Sequence, residues 1–218
     1  MDSYSLADFV AFDLLAWRGL IGRYWSEDGA LILTMTALLV VATVFGIYKR
    51  KRWNVYFALA LCWVWLALRF HGQWHQQLNW AAGYWVWAFM LQAGLLITVF
   101  LLDRRESSLT KYQVASLTLP WLVPLLVSWF VHSDPWWTGE WVTATPDPTA
   151  WFTLVVVLLL EPRILTALLL SIIPALSMLL STLVAVVLND IALIVVNLTA
   201  AVCVVLTICT LRIRQVKR

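Results

Sequence analysis

The stretch Arg69 to Asn79, RFHGQWHQQLN, holds most of the side chains in this chain that could do chemistry. His71 and His75 are four positions apart, so a helix through them would put both imidazoles on one face, the spacing with which helices ligate metals. A third histidine, His132, ends another apolar stretch and is followed by Ser133 and Asp134. The set His71, His75 and His132 would suit zinc or copper, and Asp147 and Asp190 are carboxylates available to close such a site. Two outward-facing histidines are more often solvated than metal-ligating. Arg69 sets a sharper constraint: a charge at membrane depth costs about 2.5–3.5 kcal/mol or more, so it must be paired, extended to the headgroups or used. The sequence predicts a ligand site of Arg69, His71, His75 and Asn79, with Arg69 paired to Asp147 or Asp190. The competing expectation is an arginine that only anchors the helix at the headgroups.

The elements that must hold these residues are apolar. Hydrophobic residues make up 62% of the 218 positions and charged residues 12%, with a mean hydropathy of +0.84. Soluble domains carry about 25% charge. A spanning helix needs about 20 apolar residues. Gly29–Tyr48, Trp53–Arg69, Trp80–Leu102, Tyr112–Val131, Ile164–Leu188 and Ile191–Leu211 meet or approach that length. Pro148–Leu160 is shorter and would cover about 20 Å. The expected fold is all-α: a polytopic helical membrane protein with about seven transmembrane helices.

Charge sets the expected orientation. Lys49 to Arg52, Arg104, Arg105, Lys111, Arg163, Arg212, Arg214, Lys217 and Arg218 flank alternate ends of these segments. Positive charge resists translocation, so such clusters mark the cytoplasmic side and place the N-terminus outside and the C-terminus inside. Most acids, among them Asp28, Asp134, Asp147 and Asp190, fall in the outer segments. Arg18 and Arg23 run against the rule.

Three regions follow: residues 1–28 as an outer amphipathic interfacial helix, 29–211 as the membrane bundle, and 212–218 as a basic cytoplasmic tail. Leu6, Phe9, Val10, Leu14, Trp17, Leu20, Ile21 and Tyr24 recur at helical spacing, which suits a helix lying on a membrane surface. No cleavable signal peptide is expected, because the chain opens on an acidic stretch. In TPDPT, Asp147 is expected to cap the short helix, with Pro148 in its first turn. Pro174 is expected to bend the sixth span. The 15 tryptophans divide into an interfacial set that includes Trp53, Trp74, Trp80 and Trp151, and a deeper set of Trp63, Trp65, Trp85, Trp87, Trp121 and Trp129 expected between helices.

The phrases YSLADFVAFDLLAWRGLIGRYW, RFHGQWHQQLNWAAGYWVWAFMLQAGLL and TATPDPTAWFTLVVVLLL occur in that order over residues 4–160. With them the chain resembles an uncharacterised bacterial integral-membrane family, a domain of unknown function sometimes labelled permease-like. The most specific phrases are Asn79–Ala82 and Pro146–Thr149. The resemblance implies a multi-pass helical protein of the bacterial inner membrane and supplies no established activity or cofactor.

Three functional classes remain. The first is permease-like passage of a small solute or ion. The second is a metal- or haem-binding membrane protein using the outer histidines; the Trp-rich stretch HSDPWWTGEW resembles the external loops of haem-handling membrane proteins in its Trp content and flanking His. The third is a structural or accessory subunit of a membrane complex or oligomer. The sequence holds no nucleophile beside a base and no phosphate-binding glycine loop, so an enzyme is not expected. The basic residues are cytoplasmic flanks, so the expected partner is the lipid bilayer and not a nucleic acid.

Overall fold

The computed structural model describes residues 10–51, 53–102, 109, 111–131, 139 and 141–216, and the described chain is all-helical. Seven helices follow in order: α1 Leu14–Tyr48, α2 Trp53–Trp65, α3 Ala82–Leu102, α4 Lys111–Val131, α5 Pro146–Leu160, α6 Ile164–Leu188 and α7 Ile191–Val216. Five of the helical stretches are long and apolar enough to cross a membrane: α1, Trp53–Gln77, α3, α6 and Ile191–Cys209. Gln113–Val127 within α4, and α5, are shorter apolar helices.

Asp13 caps α1 by accepting from the Ala16 amide at 2.7 Å. The helix then runs 35 residues, about 52 Å at 1.5 Å per residue. The expected boundary between an interfacial helix ending at residue 28 and a span starting at Gly29 therefore lies inside one helix. The polar run Ser26–Gly29 does not break it. Ser26 Oγ bonds back to the Arg23 carbonyl at 2.8 Å, and Asp28 turns inward to partners on the next helix.

The second apolar stretch, expected to end at Arg69, also continues further. Beyond Trp65 the chain widens into a π-helical segment, Leu66–Trp74, followed by the 3₁₀ turn His75–Gln77. π turns are rare, appear mostly as single turns inside α-helices and gather at functional sites. Gly72 suits this one: a Cβ there would lie 3.2 Å from the Ala67 carbonyl oxygen and 3.6 Å from Val86 of α3. The chain reverses at Leu78 and Asn79, whose amides both bond the His75 carbonyl at 3.0 Å, and Asn79 Oδ1 accepts from the Ala81 amide.

The helices form two neighbouring groups. α2 and its π segment pack on α1 and α3, while α5 packs on α4, α6 and α7. α5 is the innermost element, with Asp147 to Val157 all buried. Cross-links tie the groups together: Trp63 Nε1 donates to Thr153 Oγ1 at 3.0 Å, and Thr36 Oγ1 meets Thr143 Oγ1 at 2.6 Å. A third link follows from Pro174. It has no N–H to offer the Leu170 carbonyl, and Gln92 Nε2 of α3 donates to that oxygen at 3.0 Å. Such repair from a neighbouring helix is how prolines are tolerated in spanning helices.

The outer surface is apolar. Leu31, Val41 and Val44 of α1, Leu91 of α3, Leu168 and Leu179 of α6, and Leu198 and Val205 of α7 are exposed, whereas Gln92, Asp147, Thr149 and Asn197 are buried. A chain that presents leucine outward and folds its polar groups inward is matched to lipid as solvent. The tryptophans depart from expectation in both directions. Trp87 and Trp129 are exposed on α3 and α4, while Trp74 and Trp151 are buried.

Candidate functional site

A cavity of about 120 Å³ lies where the two helix groups meet. For comparison, an apolar protein cavity of about 150 Å³ accommodates benzene. His71, His75, Asn79 and Asp147, four of the residues expected to bind ligand, line it, although they come from the π segment, the following turn and α5. Trp17 of α1 and Phe12 just before that helix close it, with Trp85 from α3 and Ser177 and Ser181 from α6.

The π segment turns His71 inward, and the 3₁₀ turn that follows brings His75 against it. His71 is 4% exposed, and its Nδ1 lies 3.1 Å from Nδ1 of His75. A hydrogen bond between two Nδ1 atoms needs a proton on one and a lone pair on the other. In the neutral pair, one ring then has an acceptor at Nε2 and the other a donor. Neither Nε2 has a partner, and both are buried. Aromatic rings hold the pair in place: His71 meets Phe89 edge-on at 4.6 Å between centroids, and His75 meets Trp17 at 5.4 Å.

Asp147 enters the cavity from α5. It is the second residue of that helix, since Pro146 takes the first position and Thr145 is the N-cap without a side-chain bond. The expected Asp147 cap is thus displaced by two residues, to Thr145, because Pro146 also fits a first helical position. Freed from capping, the carboxylate takes a hydrogen bond on Oδ2 from Ser181 Oγ of α6. Oδ1 has no partner, nor does the neighbouring Thr145 Oγ1. Asn197 of α7 lies beside Asp147 without a formed bond. The helix start offsets at most about 2 kcal/mol for a carboxylate in the first turn. Removing an ion from water costs several kcal/mol. The carboxylate is therefore undercompensated by the protein, and no Lys or Arg is among the described residues lining the cavity.

Upstream, the backbone is held in an uncommon conformation. Thr143 has φ 80°, rare for a β-branched residue. Its amide bonds Thr149 Oγ1 at 2.8 Å, and the Thr149 hydroxyl donates to the Thr145 carbonyl at 2.9 Å. This fully buried turn sets the position at which Thr145 to Asp147 meet the cavity.

The remaining expected site residues go elsewhere. Arg69 pairs with Asp28 of α1, not with Asp147 or Asp190, and also bonds Gln73. Asp28 is 2% exposed and receives a second bond from Trp74 Nε1 at 2.8 Å. Helix α1 brings Asp28 against the π segment, and this local pairing uses the arginine before it can reach the cavity. Asp190 caps α7, accepting from the Leu193 amide at 3.3 Å behind the left-handed Asn189. His132 lies outside the described residues, and among the described residues no group of three or more His, Cys, Asp or Glu is placed to hold a metal.

Sequence reasoning missed Asp28, Ser177, Ser181 and Asn197. The pair Ser177 and Ser181, four apart in an otherwise apolar helix, and Asn197 alone in another were the available signals. No family model, curated protein or solved structure matches this chain.

Proposed function

We propose that this chain is a seven-span protein of the bacterial inner membrane, N-terminus outside and C-terminus inside, that binds a small solute or ion in the central cavity for permease-like passage. The observation that carries the reading is the undercompensated Asp147 beside the buried His71 and the half-buried His75 in a cavity between helix groups. Ionisable groups at membrane depth mark substrate and ion pathways more often than packing. The orientation rests on charge: Lys49–Lys51 and Arg163 fall at the ends of helices opposite those that bear the cavity residues. The phrases that carry the resemblance to the uncharacterised membrane family, Asn79–Ala82 and Pro146–Thr149, both supply residues that border the cavity.

A second reading, metal held by histidine, draws on the 3.1 Å between the Nδ1 atoms of His71 and His75. It ranks below the first because two nitrogens alone make a weak site.

The test is thermal unfolding of the protein in lipid nanodiscs with a panel of small neutral, cationic and anionic solutes. A bound solute at 100 times its Kd adds about 2.7 kcal/mol of stability. Ser181→Leu, which fills the cavity, should fold and lose that gain. No stabilisation by any solute, or equal stabilisation of the filled variant, refutes the proposal.

A further inference from the structure

We propose that the cavity takes a small primary ammonium ion, which replaces a proton on Asp147. This rests on the small-solute reading above and names the class of solute.

Charge complementarity comes first. Asp147 is 4% exposed, and the protein provides it with a hydroxyl from Ser181 and no cation. Arg69, two residues from His71, is held by Asp28, and Arg18, which follows Trp17, is not among the residues that line the cavity. A carboxylate so placed must be neutralised by something that comes and goes, either a proton or a cationic solute. The groups around it fit the second. Thr145 Oγ1, Asp147 Oδ1 and the one basic Nε2 of the histidine pair are acceptors without partners on lining residues. An ammonium group has three N–H donors to give. Trp17, Phe70 and Trp85 supply the aromatic walls that favour cations. An anion would meet the carboxylate unscreened, and a cavity of about 120 Å³ limits the ligand to a few heavy atoms.

The other groups that face Asp147 do not supply the missing charge. The π segment brings His71, the 3₁₀ turn after it His75, α6 brings Ser177 and Ser181, and α7 brings Asn197, with Asp190 engaged at its start. Helix α3 lines the cavity with Ala82 and Trp85, and none of the described residues of α4 is among its lining. The exchange balances: the O–H bond of the Asp147 carboxyl breaks, its proton leaves to solvent, and the carboxylate accepts an N–H of the incoming ammonium. One proton is released for each cation bound, so the site can couple passage of the cation to a counter-movement of protons.

The experiment titrates ethylammonium, ethanol and acetate, three probes of similar size and different charge, into the full-length protein in nanodiscs, with heat and proton release recorded in weak buffer. Ethylammonium alone should bind, with release approaching one proton per cation. Its apparent Kd should weaken about tenfold per pH unit on acidification where the empty site is protonated. Asp147→Asn should abolish binding and release, and Ser181→Ala, which retains the carboxylate, should leave release intact with binding changed severalfold. Binding of ethanol or acetate without ethylammonium overturns the ammonium assignment and leaves the small-solute reading standing. Binding of none overturns both, and ethylammonium binding without proton release overturns the exchange.

Discussion

Removing Arg69 should cost more than removing Asp28 and Arg69 together. Asp28 is 2% exposed, whereas Arg69 is 34% exposed. In Arg69→Ala the carboxylate stays buried with only the Trp74 N–H as partner. Breaking a buried pair from one side typically costs about 3–5 kcal/mol, because a charge is left uncompensated. The partial exposure of Arg69 places this pair toward the lower end, near 3 kcal/mol. For a chain of this size that lowers Tm by roughly 6–12 °C. Asp28→Asn with Arg69→Ala leaves no stranded charge and retains an acceptor for Trp74. The double variant should regain about 1–2 kcal/mol over Arg69→Ala alone, which a double-mutant cycle in detergent or nanodiscs measures. If the double variant is no more stable than Arg69→Ala, Asp28 is not held as an ion by Arg69, and the arginine is an anchor with its partner in the headgroups. The cavity gives a second readout, since the π segment that carries Arg69 and His71 runs directly into the turn with His75; Arg69→Ala should also weaken solute binding while the protein stays inserted.

Gly72→Ala should lower stability by about 1 kcal/mol or more, through the 3.2 Å approach of a new Cβ to the Ala67 carbonyl; thermal unfolding checks it, and a neutral result would mean that the π turn relaxes freely. Trp63→Phe retains the ring and loses the 3.0 Å bond to Thr153, for an expected loss of about 1–1.5 kcal/mol. Gln92→Leu strips the Leu170 carbonyl of its donor opposite Pro174 and should cost about 1–3 kcal/mol, measured in the same way. A reporter fused after Arg218 should be cytoplasmic, and one inserted between Asp134 and Glu140 external; both on one side would break the seven-span topology.

The helical class and the positions of the apolar segments were legible because their lengths and hydropathy are local properties of the chain. Breaks between elements were read less well. One element was expected to end at residue 28 and another at Arg69, yet the helix runs on through both places, and Asp28, Arg69 and Trp74 partner one another across helices. That is long-range information, absent from periodicity. His71, His75, Asn79 and Asp147 were picked out by residue type, and the structure places them around one cavity. Their partners were not: Ser181 is an ordinary residue in an apolar helix until α5 lies against it. The outward-facing Trp87 and Trp129 show why depth alone misplaces tryptophan. In lipid both faces of a helix are apolar, and only the packing of neighbours decides which face is buried.

An experimental structure in lipid, with ethylammonium present and absent, tests the central claim most directly. The account predicts density for a small species in the cavity within about 3 Å of Asp147 Oδ1, with His71 and His75 still joined through their Nδ1 atoms. A cavity closed by protein or filled by a lipid chain, with Asp147 turned to a partner elsewhere in the fold, would contradict it.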